Sequence, residues 1–373
     1  MKLNLINAHG MYFEFNSLSE AFCGLAKKLI DNGVWARRGK NAAGNMCLEF
    51  PGAVLIKIKN PTNRYCFVPE RKWNKTLGWV ESLWIASGSN DLTMPAKYVK
   101  NLYSFSDDGR YMRAGYGPRI RRFGDNFNRY ELADGKKMYR QYGNSHSGVG
   151  IDQLKFVIEK FKEGLGTREA VITIHDAMSD DFDMGAGGGV LLVTKDTPCT
   201  RSIHFMVVDG RMNCYVDMRS NDLLWGFSAV NVFNFTLMQE YVAMLVGVPV
   251  GEYYHKVDNL HIYESSLPTV KAVAEHYNGF WQGEDRTLPE WHYEHGFTTL
   301  QEFDVWVGRL ASYEANLRGD ANLPDLPYTD SEALERLKDF DAEPLFADWA
   351  RIFYRKWIKK PVNFVNPYLN ILF

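Results

Sequence analysis

Cys199 is the residue whose surroundings point most clearly to chemistry. It follows a proline in DTPCTRSIHF and precedes a run in which polar and apolar residues alternate, as they do in a half-buried strand. A cysteine becomes a nucleophile when nearby positive charge lowers the pKa of its thiol. The alternative is a small buried cysteine within a strand, which is common in reducing compartments. We predict a nucleophile, because three later stretches of the chain carry the residue types of a binding site.

These three stretches lie between residues 218 and 263. MRSND places Arg219 and Ser220 at the end of an apolar strand, and FSAVNVF places Asn231 just before a hydrophobic helix. In HKVDNLHIY, His261 and Tyr263 are two residues apart and therefore lie on one face of a strand. Each could be structural alone, as a solvated strand end, a helix N-cap or a core histidine. Together they predict one polar pocket in an apolar body.

The composition limits the class of protein. The chain of 373 residues is 46% hydrophobic and 14% aromatic, which favours a sizeable ordered core. Its net charge of −2 gives no reason to expect a nucleic-acid or membrane partner. Five cysteines without a CxxC pair argue against a disulfide framework and against a zinc site. Because no apolar run is long enough to span a bilayer and no secretory signal is evident, we expect a cytoplasmic protein.

Helices and strands that could position these residues are predicted from hydrophobic periodicity. The dipeptide Asp209-Gly210 between two strand-like runs predicts a hairpin turn. The pattern predicts an α+β fold, with a large, mostly antiparallel sheet and packed helices. We predict a catalytic domain over 1–270 and a helical extension over 271–373, whose C-terminal tail could close the site. The predicted helices are 18–33, 76–88, 151–166 and 235–248; the predicted strands are 53–61, 170–176, 188–195, 200–210, 211–220 and 256–265.

The order of these motifs resembles thymidylate synthase and its relatives, the pyrimidine-nucleotide hydroxymethylases. In that family a nucleophilic cysteine precedes a hairpin ending in R-S-x-D, a glycine with an asparagine shortly after it, a buried helix and then H-I-Y. CTRSIHFMVVDGRMNCYVDMRSND, FSAVNVF and HIY match in that order, and the resemblance covers about 30–265. It implies a thymidylate-synthase-like fold and a homodimer with a shared active site. It also implies one-carbon transfer from 5,10-methylenetetrahydrofolate to C5 of a pyrimidine nucleoside monophosphate.

The resemblance also implies a role for each site residue. Cys199 would add to C6 of the ring and so make C5 nucleophilic, with Arg219 lowering the pKa of the thiol. Asn231 would read the base edge, where a carboxamide suits uracil and an aspartate would suit cytosine. The other implied residues are Glu81, Tyr116 and Asp222 for catalysis, Arg38, Arg219, Ser220 and the partner chain's Arg168 for the phosphate, His261 and Tyr263 for the sugar, and Asp222, Glu81 and Trp84 for folate.

The sequence departs from the family pattern at several positions. Thr200 stands where a histidine is usual, Glu169 stands where a second arginine is usual, and one extra residue separates Gly226 from Asn231. The segment NLYSFSDDGRYMRAGYG lacks the tryptophan that shields the reactive methylene carbon. Without that shield, water can complete the reaction in place of hydride. We therefore favour hydroxymethylation of dUMP over methylation, although Trp225 is an alternative shield.

Other functions stay open at this point. Thymidylate synthesis and hydroxymethylation of dCMP or CMP use the same residues. A non-catalytic nucleotide-binding protein is disfavoured because Cys199 and Glu81 are both present. A cysteine hydrolase would need a histidine base, and neither His175 nor His204 forms a recognisable motif with Cys199.

Overall fold

The structure is a computed structural model that describes residues 11–39, 44–124, 150–183, 189–279, 281, 283–294, 296–319 and 327–373. The chain divides into two compact units, each made of discontinuous segments. The first unit comprises Met1–Gly78, Phe205–Glu294 and Asn363–Phe373; the second comprises Trp79–His204 and His295–Val362. The domain boundary near residue 270 stays a prediction.

The described residues contain ten strands, which we number along the chain. They are β1 Met11–Phe15, β2 Val34–Arg38, β3 Asn45–Glu49, β4 Val54–Ile58, β5 Val171–Thr173, β6 Thr200–Val208, β7 Arg211–Met218, β8 Asn221–Asp222, β9 Val250–Val257 and β10 Leu260–Tyr263.

The helices of the described residues are numbered in the same way. They are α1 Leu18–Asn32, α2 Leu77–Ala86, α3 Tyr116–Arg121, α4 Gln153–Glu163, α5 Ala177–Asp180, α6 Val232–Val246, α7 Leu267–Ala274, α8 Leu300–Arg318, α9 Asp330–Leu337, α10 Pro344–Ile358 and α11 Pro367–Leu372. None of them combines the length and apolar composition that crossing a bilayer requires.

The first unit contains two sheets. In the larger sheet β1, β4, β9 and β7 lie side by side, and the end of β6 adjoins β7. β1 pairs with β4 and β7 with β9 in parallel, whereas β4 and β9 are antiparallel. The α+β class is confirmed, and the sheet is mixed, with antiparallel pairing of β4 with β9 and parallel pairing of β7 with β9. The reason is that α6 connects β7 to β9, and a helical crossover permits parallel pairing.

The predicted hairpin and the predicted buried helix are both confirmed. Asp209 and Gly210 connect β6 to β7 with φ of 50° and 75°, the left-handed conformation that a tight hairpin turn needs. Helix α6 has buried residues around its whole circumference, from Val232 to Leu245. It therefore forms a central part of the core of the first unit.

The smaller sheet has the order β2-β3-β10-β8. β2 and β10 pair with β3 in antiparallel fashion, and β8 runs parallel to β10. The single strand predicted over 256–265 is wrong, because the chain turns at Asp258 and Asn259 and divides it between β9 and β10. These two strands belong to different sheets, so the turn brings His261 into the smaller one.

The second unit is mainly helical around a short strand pair, in which β5 runs antiparallel to the start of β6. At its centre Asp180 accepts hydrogen bonds from Arg119 at 2.7 Å and Arg113 at 3.1 Å. The strand predicted over 188–195 is wrong where the structure describes it. Leu191 forms only an isolated bridge with Phe182, and its side chain is 70% exposed. Residue 188 of that predicted strand lies outside the described residues. Residues 320–326 of the predicted helical extension also lie outside them.

Candidate active site

A cavity of about 490 Å³ opens on the smaller sheet of the first unit. Five residues that the sequence predicted for the phosphate and the sugar lie around it: Arg38, Arg219, Ser220, His261 and Tyr263. The cavity is also lined by Gly39, Asn45, Cys47, Asp258 and Asn259. Its walls therefore offer two guanidinium groups together with hydroxyl, imidazole, phenol and carboxamide groups, which suits an anion that also carries hydroxyls.

The strand register explains why these residues meet. His261 lies opposite Glu49 and Tyr263 opposite Cys47, so alternate residues of β3 and β10 share one face. The rings of His261 and Tyr263 make an edge-on contact with their centroids 5.1 Å apart. Arg38 ends β2, opposite Asn45. The sheet thus presents its polar residues on the side that lines the cavity.

Glu49 is a member of this region that the sequence analysis missed. Its carboxylate accepts a hydrogen bond from Arg38 Nε at 2.9 Å and a second one from Arg38 Nη2, and Asn259 Nδ2 donates to it at 2.8 Å. The hydrogen bonds from Arg38, and to a smaller extent the one from Asn259, lower the pKa of Glu49 below its usual value. The only signal in the sequence was an acidic residue in the otherwise apolar run MCLEF.

Asp222 stands at the start of a π-helix, Leu223–Asn231, and its side chain accepts a hydrogen bond from the backbone amide of Trp225. Burial raises the pKa of this carboxyl, and the hydrogen bond from Trp225 opposes the rise. Its Oδ2 is buried and has no hydrogen-bond partner among the described residues. Buried acceptors are rarely left unpaired, so this oxygen suits the N–H donor of a bound ligand.

The π-helix accounts for the extra residue between Gly226 and Asn231. A π-helical segment fits one more residue into a turn than an α-helix does, so an insertion need not displace the residues after it. Asn231 is half-buried at the end of this segment. A Cβ on Gly226 would lie 2.8 Å from Asn231 Oδ1 and would overlap Asn221 Oδ1. The backbone at Gly226 is therefore packed directly against both carboxamides.

In the second unit, Cys199 differs from the other four cysteines. It is half-buried, at the residue before β6, whereas the others are buried. Burial raises the pKa of Cys23, Cys47, Cys66 and Cys214, and that of Cys66 reaches about 11. Such thiols stay protonated and inert near neutral pH, so Cys199 is the best-placed nucleophile among the five.

Tyr116 lies close to Cys199. The hydroxyl of Thr200 donates a hydrogen bond to the Tyr116 oxygen at 2.9 Å. Burial raises the pKa of the Tyr116 phenol, and the neighbouring Cys199 raises it further. The phenol is therefore neutral and able to donate a proton. Thr200, the residue that replaces the usual histidine, orients it.

The remaining predicted residues also lie in the second unit. Glu81 and Trp84 are three residues apart on α2, where Glu81 is half-buried. Trp84 is 8% exposed, packs against Leu92, and donates its indole N–H to Asp91 O at 2.8 Å. It offers little open surface to folate, and that role stays a prediction. Arg168 is exposed in the turn after α4.

The geometry defines a class: an α+β protein with a pocket suited to a phosphorylated, hydroxyl-bearing small molecule and with one half-exposed cysteine. The family model described as thymidylate synthase matches residues 20–306, more than half of the chain. The chain therefore belongs to the thymidylate synthase family and has its fold.

Individual relatives refine this result. The chain is 35% identical over 210 residues to a deoxyuridylate hydroxymethyltransferase of Bacillus phage SP01, covering 56% of this chain and 49% of the relative. It is 34% identical over 227 residues to a deoxyuridylate hydroxymethyltransferase of Pseudomonas phage M6, and the match covers 61% of this chain and 55% of the relative. A thymidylate synthase of Pasteurella multocida is 24% identical over 289 residues, and the match covers 76% of this chain and 90% of the relative. The matched part is thus only about half the length of these two hydroxymethyltransferases.

Proposed function

We propose that the protein hydroxymethylates dUMP, using 5,10-methylenetetrahydrofolate as the one-carbon donor. The observation that carries this proposal is the cavity on the smaller sheet, where Arg38, Arg219 and Ser220 adjoin His261 and Tyr263. Two cations and a hydroxyl suit a phosphate dianion, whereas an imidazole and a phenol suit the hydroxyl of a sugar. The names of the two hydroxymethyltransferase relatives support uracil as the base.

In this proposal each residue of the chain has a defined task. Arg38, Arg219 and Ser220 bind the phosphate, and Asn231 pairs with N3–H and O4 of uracil. The Cys199 thiolate adds to C6, and this bond breaks again when the product forms, after C5 has lost its proton. Glu81 and Tyr116 hold and move protons near the ring, as a half-buried carboxylate and a neutral phenol can.

Folate supplies the one-carbon unit when it is bound. Asp222 fits this co-substrate, because its buried Oδ2 lacks a partner among the described residues and can accept a hydrogen bond from a pterin N–H. The proposed folate-binding set also includes Trp84, whose side chain is almost fully buried. Glu81 is likewise proposed to contact folate.

We further propose that the active protein is a homodimer in which Arg168 binds the phosphate of the partner subunit's substrate. Its exposure supports this role. The adjacent Glu169 forms its ion pair with Lys160 at 2.9 Å, and it also interacts electrostatically with Arg168. Light scattering of the full chain tests the dimer, and a monomer with full activity would contradict the role of Arg168.

Water is the proposed final nucleophile, which distinguishes hydroxymethylation from thymidylate synthesis. Where a shielding tryptophan is usual, a short 3-10 segment presents Tyr103 and Phe105, which are 43% and 52% exposed. Open aromatic rings beside the exposed Ser104 support access of water. Ser106 is buried, and its hydroxyl is hydrogen-bonded to Asp108 and Tyr111. Trp225 is 55% exposed and remains the alternative shield. Thymidylate synthesis is the second candidate, which the relative from Pasteurella multocida supports.

The experiment follows the consumption of methylenetetrahydrofolate with dUMP, dCMP, UMP and CMP in separate reactions. We expect turnover with dUMP, none with Cys199→Ala, and near-normal turnover with the control Cys214→Ala. A preference for dCMP or CMP would contradict the proposed base, and activity that survives Cys199→Ala would contradict the nucleophile. Nucleotide binding without turnover in the wild type would instead indicate a non-catalytic protein.

A further inference from the structure

We propose that Glu49 is a positioning residue that holds the Arg38 guanidinium over the phosphate end of the cavity. This inference rests on the proposed function, because it takes the cavity to bind a nucleoside monophosphate. Glu49 does not line the cavity, but the residues that contact it do: Arg38 and Asn259. It therefore acts through Arg38 rather than on the substrate.

The register of the smaller sheet shows why Arg38 needs such a partner. Arg38 lies opposite Asn45, whereas Glu49 lies opposite Val34, four residues further along β3. Asn45, Cys47 and Glu49 share one face of the strand because side chains alternate. To bond Glu49, the arginine side chain must extend along this face and across Cys47. The ion pair thus draws the guanidinium from the sheet edge towards His261, which is opposite Glu49.

The exposure of the two side chains shows that Glu49 is the fixed partner and that Arg38 is the one it holds. The side chain of Glu49 is only 6% exposed, and Asn259 restrains it further, whereas the side chain of Arg38 is 59% exposed. A long exposed arginine samples many rotamers unless a partner selects one. The pair uses Nε and Nη2 of Arg38, so the two N–H groups of Nη1 stay outside it. Nη1 can then donate to a phosphate while the carboxylate keeps its own bonds.

The negative charge of Glu49 also opposes a bound phosphate, so the sign of its effect has to be decided. The carboxylate is paired in bidentate fashion, and its repulsion is largely cancelled by the cation it holds. Losing it would free an exposed side chain that must be ordered again on binding. We therefore expect the positioning effect to exceed the repulsion, and loss of Glu49 to weaken phosphate binding.

The test compares dUMP with deoxyuridine, which lacks the phosphate, by calorimetry on the full chain. For Glu49→Gln we expect a Kd for dUMP raised roughly tenfold and a Kd for deoxyuridine within about twofold of wild type. A variant whose smaller sheet is distorted would bind both dUMP and deoxyuridine more weakly. Glu14→Gln is the matched control, because Glu14 also pairs with cations, Lys57 and Lys59, but on the larger sheet. Both ligands should bind this control normally.

A double-mutant cycle with Arg38→Ala shows whether Glu49 acts through the arginine. The double variant should bind dUMP no more weakly than Arg38→Ala alone. The inference would be overturned if Glu49→Gln bound dUMP as tightly as wild type or more tightly. It would also be overturned if the losses in dUMP binding of the two single variants added fully in the double variant. If Glu49→Gln fails to fold, Glu49→Asp serves instead. It keeps the charge but shortens the side chain that reaches Arg38, so it should raise the Kd for dUMP and leave the Kd for deoxyuridine unchanged. A wild type that does not bind dUMP would refute the proposed function itself.

Discussion

Thr200 donates a hydrogen bond to the Tyr116 phenol at 2.9 Å, one residue after the proposed nucleophile Cys199. The contact ties the start of β6 to the start of α3. It also supplies a polar neighbour where a histidine is usual in the family, so this departure from the pattern has a structural role in the second unit.

Replacing Thr200 with valine should therefore impair catalysis without abolishing folding. The isosteric side chain keeps the volume but cannot donate to Tyr116, so the phenol loses its orientation. We expect kcat with dUMP to fall roughly tenfold, a part of the roughly 100- to 10,000-fold that a positioned proton donor contributes, with little change in KM. Steady-state kinetics measures this, and Thr200→Ser, which keeps the hydroxyl, should retain most of the activity. Equal losses in both variants would contradict the role of the hydrogen bond.

Asp196 should destabilise the protein at neutral pH. Burial raises the pKa of its carboxyl to about 6 from 3.8, against a hydrogen bond from the Ala114 amide. The folded state therefore holds a proton that the unfolded state has lost, and stability falls as pH rises from about 4 to 6. Asp196→Asn keeps an acceptor for Ala114 and removes the charge. Its free energy of unfolding should match wild type near pH 4 and exceed it by about 2–3 kcal/mol at pH 7.

Denaturant titrations at these two pH values measure the difference. Asp181→Asn is a suitable control, because Asp181 is exposed and pairs with His175 at the surface. We expect that variant to differ little from wild type at either pH. A deficit for Asp196→Asn at pH 7 would mean that the charged form is stabilised in the fold.

His255 should have the opposite pH dependence. It is fully buried in the first unit, where Asn221 Nδ2 lies 2.9 Å from its Nε2 and the Tyr253 hydroxyl 2.7 Å from its Nδ1. Burial lowers its pKa to about 3 from 6.5, so the unfolded state binds the proton first. Stability is thus lost as pH falls from 6.5 towards 3, by roughly 4–5 kcal/mol in all.

The variant His255→Gln removes this titration. It should cost about 1–3 kcal/mol at pH 7, where buried hydrogen bonds are disturbed, yet lose less further stability on acidification than wild type. Unfolding free energies at pH 7 and pH 4.5 give the comparison. An unchanged slope between these pH values would show that His255 is not the group responsible.

Gly226→Ala should destabilise the first unit and reduce nucleotide binding. A Cβ at this position would overlap Asn221 Oδ1 and crowd Asn231 Oδ1, so the π-helix or one carboxamide must move. We expect a loss of about 1–3 kcal/mol of stability and a higher KM for dUMP. Thermal unfolding and kinetics measure both. Gly52→Ala is the control, since its Cβ would meet no atom within 4 Å.

Much of this site could be predicted from the sequence, because its residues follow local patterns. His261 and Tyr263 share a face through strand alternation, and Asp209-Gly210 encodes its own turn. The break between β9 and β10 was missed although two consecutive turn-forming residues, Asp258 and Asn259, interrupt the alternation there. The pairing of the two strands with different sheets shows the turn directly. Glu49 was missed because its partner Arg38 becomes a neighbour only through the β2–β3 register. The π-helix was likewise visible only as an irregular spacing.

The most direct test of the account is the identity of both products formed from dUMP and methylenetetrahydrofolate. Mass spectrometry of the nucleotide and absorbance of the released folate should be recorded in one reaction. We expect dUMP to gain CH2O, as 5-hydroxymethyl-dUMP, together with tetrahydrofolate, because water completes the reaction. A gain of CH2 with formation of dihydrofolate would contradict the account and would make this chain a thymidylate synthase.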